Sequence, residues 1–202
     1  MAVEFGPGLR NRLFAALSGI RGADVSGQGE DLRGMLLAVG GPSSKTRSGI
    51  DLTKAAAQLG VSRRTCERWV QTAAAGQGQR PSASHAKNLT RKARQAASTQ
   101  AGRRAAVRAV RERQVYSRGA RLAIRGRQGP ARAGKSYQRD RLTQVDLDPA
   151  DAEAMLAAYE QGGDRGFIDW ATATWDQQYL DDWGFQTVEE IEILSPTRGG
   201  WQ

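Results

Sequence analysis

Between Asp51 and Thr72 small and apolar residues recur at helical spacing in two short runs with a glycine between them. Ala55, Ala56 and Leu59 line one face of the first run, and Gly60 suits the positive-φ conformation of a tight turn. Val61 returns to the interior, Ser62 is an N-cap, and Cys66, Trp69 and Val70 form the inward stripe of a second helix. Arg63, Arg64, Glu67 and Arg68 are left outside. This order predicts a helix-turn-helix over 51–79. Within 1–50, Leu9–Leu17 and Asp31–Val39 read as two short helices. Leu32, Met35, Leu36 and Val39 are spaced to pack beneath the pair, and GGPSSKTRSG reads as a loop.

After a Gly/Gln/Pro/Ser stretch at 76–84 that reads as a linker, residues 80–118 alternate alanine with arginine. Alanine and arginine favour helix, yet alanine offers little surface to bury. A long basic helix lying on a phosphate backbone is therefore predicted, interrupted at Gly102, with a solvated basic linker as the alternative. The remainder, 119–202, changes character. Leu122 and Ile124 alternate with polar neighbours, as do Thr143, Val145 and Leu147, and then Val188, Ile191 and Ile193, which predicts three strands. Asp148, Pro149 and Asp151 open a helix that Gly162 and Gly163 close. A second helix, about 164–183, carries Ile168, Ala171, Trp175 and Tyr179 on one stripe. The expected fold class is a mainly α N-terminal half, with a helix-turn-helix and a long basic helix, plus a small α+β C-terminal domain.

Charge sharpens this division. The chain of 202 residues carries a formal charge of +9 and a pI near 10.4. Residues 1–79 account for +4 and residues 80–141 for +16, with eighteen Lys/Arg against two Asp/Glu. Residues 142–202 account for −11. A polyanionic partner is implied for the basic part, and a surface that repels DNA for the acidic part. The lone cysteine excludes an internal disulfide, and Cys66 and His85 read as bystanders, with no metal site suggested. No apolar run approaches the length of a membrane span, on the order of 18 residues, and no secretory signal is evident, so a cytoplasmic, nucleoid-associated protein without membrane contact is expected.

DNA contact is expected from Ser62, Arg63, Arg64, Thr65 and Arg68 at the start of the second helix. In the basic run it is expected from Arg91, Lys92, Arg94, Arg103, Arg104, Arg108 and Arg111. The octet GPARAGKS, Gly129–Ser136, fits the phosphate-loop expression literally, but the flanking residues read as loop and strand, and 66 residues are too few for the layers of a nucleotide-binding fold. The same stretch, 126–141, reads instead as a glycine-flanked basic loop bearing hydroxyls. Ser136 and Tyr137 stand there among Arg132, Lys135, Arg139 and Arg141, which could steady phosphates while a hydroxyl attacks.

QLGVSRRTCERWV, VDLDPADAEAMLAAYEQGGD with the following helix, and VEEIEIL together resemble the telomere terminal proteins of actinobacterial linear chromosomes and plasmids. The resemblance implies a protein covalently joined to DNA 5′ ends, whose hydroxyl accepts the first deoxynucleotide from a DNA polymerase in protein-primed synthesis. By position the acceptor falls on Ser136, where a serine replaces the family's threonine, with Tyr137, Thr143 and Ser117 as alternates. The chain would be a primer and not an enzyme. It would bind no cofactor of its own, the metal ion and deoxynucleotide belonging to the polymerase. Its partners would be telomeric DNA, single-stranded or duplex, the polymerase and a telomere-associated recruiting protein, with self-association allowed. The acidic module would engage one of these proteins or the chain's own basic run. A plasmid transcriptional or copy-number regulator is the rival reading, and a phosphate-loop nucleotide-binding protein the second.

Overall fold

The computed structural model describes residues 3–6, 8–76, 79–132 and 135–194, with the backbone alone at 131–132 and 135–136. In chain order its elements are β1 (Glu4–Phe5), α1 (Leu9–Ser18), α2 (Leu32–Gly40), α3 (Leu52–Leu59), α4 (Arg63–Ala75), α5 (Ala83–Ser98) and α6 (Gln100–Glu112). They continue with β2 (Ala120–Arg132), β3 (Lys135–Ser136), β4 (Arg139–Leu147), α7 (Pro149–Gln178), β5 (Trp183–Phe185), β6 (Thr187–Val188) and β7 (Glu190–Leu194). An α-rich chain with a small sheet towards its C-terminus is thus observed. Among the described residues no helix is long and apolar enough to cross a membrane.

Side-chain caps fix where the helices begin. Asp31, Asp51, Ser62, Ser82, Thr99 and Asp148 each accept a backbone N–H of the following turn, an interaction worth about 1 kcal/mol. Gly60 closes α3 at φ 69°, and α4 starts three residues later. Ala55, Ala56, Leu59, Cys66 and Trp69 are buried, while Val61 and Val70 are half-buried at the margin of the same core. That core joins α2, α3, α4 and α5 through Met35, Leu36, Ile50 and Leu89.

A second core lies between the sheet and α7. Strand β2 is its axis. It pairs antiparallel with β4 from Ala120↔Leu147 to Gln128↔Arg139, and on its other side with β7 and then β5. Leu122, Ile124, Val145, Leu147 and Ile191 turn towards Met155, Phe167, Ile168 and Trp175 of α7. Buried Gln128 is fully satisfied: its Nε2 donates to the Ile124 and Arg141 carbonyls, and its Oε1 accepts the Thr143 hydroxyl. Trp175 Nε1 donates in turn to Thr143. Helices α1 and α6 serve both cores. Leu9, Leu13, Leu17, Val107 and Val110 face the sheet core, while Phe14 and Ala106 face the helical one.

Three expectations are corrected. The basic run is two helices, broken at Thr99, and both are packed: α5 buries Leu89, Ala93 and Ala97, and α6 buries Arg103, Ala106, Val107 and Val110. Small residues allow close approach, most tightly at Gly102, where a Cβ would lie 2.3 Å from the Gln95 carbonyl oxygen. The helix expected to reach Trp183 ends at Gln178, and Trp183 begins β5. The expected break between the two helices at Gly162 and Gly163 is observed within α7, where Gly163 (φ 65°, ψ −146°) separates two helical stretches. Finally, most of the described residues in 126–141 are strand and not loop. β2 runs on through Gly129 and Pro130, and Ala131↔Ser136 and Arg132↔Lys135 pair as a hairpin.

Candidate nucleic-acid interface

Helix α4 presents its start to solvent. Ser62 Oγ accepts the Thr65 N–H and lies 2.8 Å from the Thr65 hydroxyl, so the two hydroxyls close the helix end together. Arg63 is held by Glu67 four residues on, at 2.9 Å. Arg64 and Arg68 are exposed, and Arg68 donates to the Gln79 side chain. On the inner side Cys66 is buried, its thiol pushed up to about 11 by desolvation and then by the Glu67 charge, so it stays a neutral packing group. His85 hydrogen-bonds Ser82 and meets the Trp69 ring at 5.7 Å, which docks α5 on α4. Asn88 also donates to the Leu59 carbonyl, placing the Lys87–Arg91 turn of α5 beside the α3–α4 turn.

Arg91, Lys92 and Arg94 of α5 have no carboxylate partner among the described residues. Arg91 bonds Asn88 and Gln95, and Arg94 lies across Gly27. The cations of α6 are differently placed, and the expectation of DNA contact is corrected for Arg103, while Arg104 and Arg111 carry ion pairs with α7. Arg103 is buried, with 8% of its surface exposed. Its guanidinium donates to the carbonyls of Ala97, Glu160 and Gln161, at the end of α5 and at the break in α7. Arg104 pairs with Glu160 at 2.8 Å. Arg111 bridges Glu153 and Glu160 at 2.6 Å each. Hydrogen bonds from Arg104 and then Arg111 hold the Glu160 carboxyl below its ordinary range against the opposing effect of burial. Arg108 remains open to solvent and pairs with Glu112 on its own helix. The acidic surface of α7 therefore meets the chain's own basic run.

The hairpin carries the hydroxyls. The backbone places Ser136 in β3, paired with Ala131; its side chain, like those of Arg132 and Lys135, lies outside the described residues. Tyr137 follows with half its surface exposed, its N–H donating to the Pro130 carbonyl and its own carbonyl accepting Arg141 Nη2. Arg141 also lies 5.7 Å over the Trp183 ring, and Arg139 is exposed. Thr143 is removed from the set of acceptors, because it is buried and both bonds of its hydroxyl are internal. Ser117 is exposed, but it donates to the Gln114 carbonyl and sits at the opposite end of β2. At about 3.3 Å per residue, the two ends of β2 are roughly 40 Å apart. The phosphate-loop geometry is not formed, since Ser136 lies in a strand and β4 follows it, leaving no helix N-terminus to receive an anion.

One basic segment is not singled out by sequence. The loop that precedes α3 brings Lys45 and Arg47 opposite α4 across an open cavity of about 690 Å³, which Arg33 and Arg63 also line. Its signal was slight, two cations two residues apart in a run of Ser, Thr and Gly. Among the described residues no cluster of His, Cys, Asp and Glu could hold a metal ion. No family model, curated protein or solved structure matches the chain.

Proposed function

We propose that the chain is a DNA-binding protein that offers a hydroxyl as primer at the ends of a linear replicon, as its resemblance to terminal proteins implies. In this reading α3 and α4 act as a helix-turn-helix, with Arg64 and Arg68 directed to the major groove and α5 supplying phosphate contacts. Segregated charge supports the DNA-binding part: Arg63 of α4 pairs only within its own helix, whereas Arg104 and Arg111 of α6 are paired with carboxylates of α7. The primer part is carried by the placement of Ser136 and Tyr137 at the end of a hairpin that extends beyond β5, whose pairing stops at Pro130. Such a tip can enter another protein's active site while the cores stay outside it.

The hydroxyl oxygen would form a bond to the α-phosphorus of a deoxynucleoside triphosphate as the bond to pyrophosphate breaks. Its proton would pass to a base in the polymerase, and the polymerase's metal ions would carry the developing charge. Ser136 is the assigned nucleophile and Tyr137 its alternate. Incubation with the replicon's polymerase, a telomeric template and labelled deoxynucleotide tests this. Label should become covalently attached to the chain, and Ser136→Ala should abolish it, or Tyr137→Phe if the tyrosine is used. Absence of label defeats the primer reading and leaves a regulator that binds an internal operator, whereas label persisting in the double variant defeats the assignment of the acceptor to Ser136 or Tyr137.

A further inference from the structure

The cavity between the 43–48 loop and α4 has the features of a built anion site. Its walls contribute four cations, Arg33, Lys45, Arg47 and Arg63, against one carboxylate, Glu67, which Arg63 already engages. The loop is braced. Ser43 N–H donates to the Gly49 carbonyl, Gly49 N–H to that of Thr46, and the Thr46 hydroxyl to that of Ile50, a residue fully buried in the helical core. Arg33 Nη2 holds the Ser48 carbonyl from α2 at 2.9 Å. Lys45 and Arg47 are exposed and have no carboxylate partner among the described residues. A braced loop holding two free cations costs little ordering entropy when an anion arrives.

A helix lying in a major groove about 12 Å wide has a sugar–phosphate strand along each flank. The 43–48 loop stands along one flank of α4, and the Lys87–Arg91 turn of α5 stands beside the start of the pair. We infer that the groove between the 43–48 loop and α4 seats the phosphodiester backbone of one strand of duplex DNA, with Lys45 and Arg47 as its phosphate ligands and Arg33 positioning the loop. This rests on the proposal that α4 enters the major groove.

The test is the affinity of the full chain for a short duplex over a series of salt concentrations, for the wild type and for Lys45→Ala/Arg47→Ala. Each phosphate contact contributes about 0.9 to the slope of log K against log salt, so the double variant should be shallower by about 2. The loss of affinity should be equal on unrelated sequences, because phosphates carry no sequence information. A matched variant, Arg118→Ala/Arg165→Ala, removes the same charge elsewhere and should keep the wild-type slope. An unchanged slope in the loop variant, an equal change in the matched one, or an altered sequence preference overturns the inference. Saturation of the wild type by inorganic phosphate without competition against duplex also overturns it, in favour of a small-anion site. Failure of the wild type to bind any duplex is a separate result, which removes the DNA reading and the groove with it.

Discussion

Helices α5 and α6 are nearly alike in composition, rich in alanine and arginine and joined at Thr99, yet their charges have opposite fates. In α6, Arg103 is buried against three carbonyls, and Arg104 and Arg111 are clamped by Glu153 and Glu160. In α5, Arg91 and Arg94 meet neutral groups and face solvent. What separates them is the neighbour each helix packs against. α6 lies along the acidic helix α7, whereas α5 packs against α2 and touches the end of α3. A run of positive charge is therefore two devices, a strut that joins two cores and a surface free to hold an anion.

Stability measurements should break or sharpen this contrast, and the largest effect belongs to Arg103. Arg103→Ala leaves acceptor carbonyls unpaired at the break in α7 and should cost about 3 kcal/mol in urea unfolding. Arg103→Lys should recover little of that, because an ammonium lacks the planar fork that reaches three carbonyls. Ala93→Leu, on the buried stripe of α5, should cost about 1–3 kcal/mol by overpacking. A smaller cost would mean that α5 is not held where its charges are said to be presented. Glu160→Gln should cost about 1 kcal/mol at neutral pH, a figure reduced for the exposure of its partner Arg104. Since the folded-state pKa of Glu160 is depressed, its contribution is present above the unfolded carboxyl range and disappears as pH falls through the folded value. The stability gap between wild type and Glu160→Gln should accordingly close in acid. Arg91→Ala and Arg94→Ala, by contrast, should each leave stability within about 0.5 kcal/mol.

Local chemistry made part of this legible before the structure. The caps at Ser62 and Asp148, the stripe of Cys66 and Trp69, and the alternation at 143–147 depend on nearest neighbours, and the elements form where those residues lie. The burial of α6 was hidden because alanine counts for little on a hydrophobicity scale and an arginine is read as surface. Arg103, Ala106, Val107 and Val110 nevertheless stand at helical spacing. The hairpin was hidden by Gly126, Gly129 and Pro130, which disfavour strands in general. Here the glycine is required, since a Cβ at Gly126 would lie 2.1 Å from the Thr187 carbonyl oxygen. That contact joins residues 61 positions apart, beyond the reach of any local pattern. Likewise, α1 divides its faces between two cores only because both are present.

The central claim is that α5 and not α6 supplies positive charge to DNA. It is tested most directly by the salt dependence of duplex binding for two variants of equal charge, Arg91→Ala/Arg94→Ala in α5 and Arg104→Ala/Arg111→Ala in α6. With about 0.9 per phosphate contact, the α5 variant should lower the slope by about 2 while the α6 variant keeps that of the wild type. An α6 variant that lowers the slope as much as the α5 variant, or more, would contradict the account.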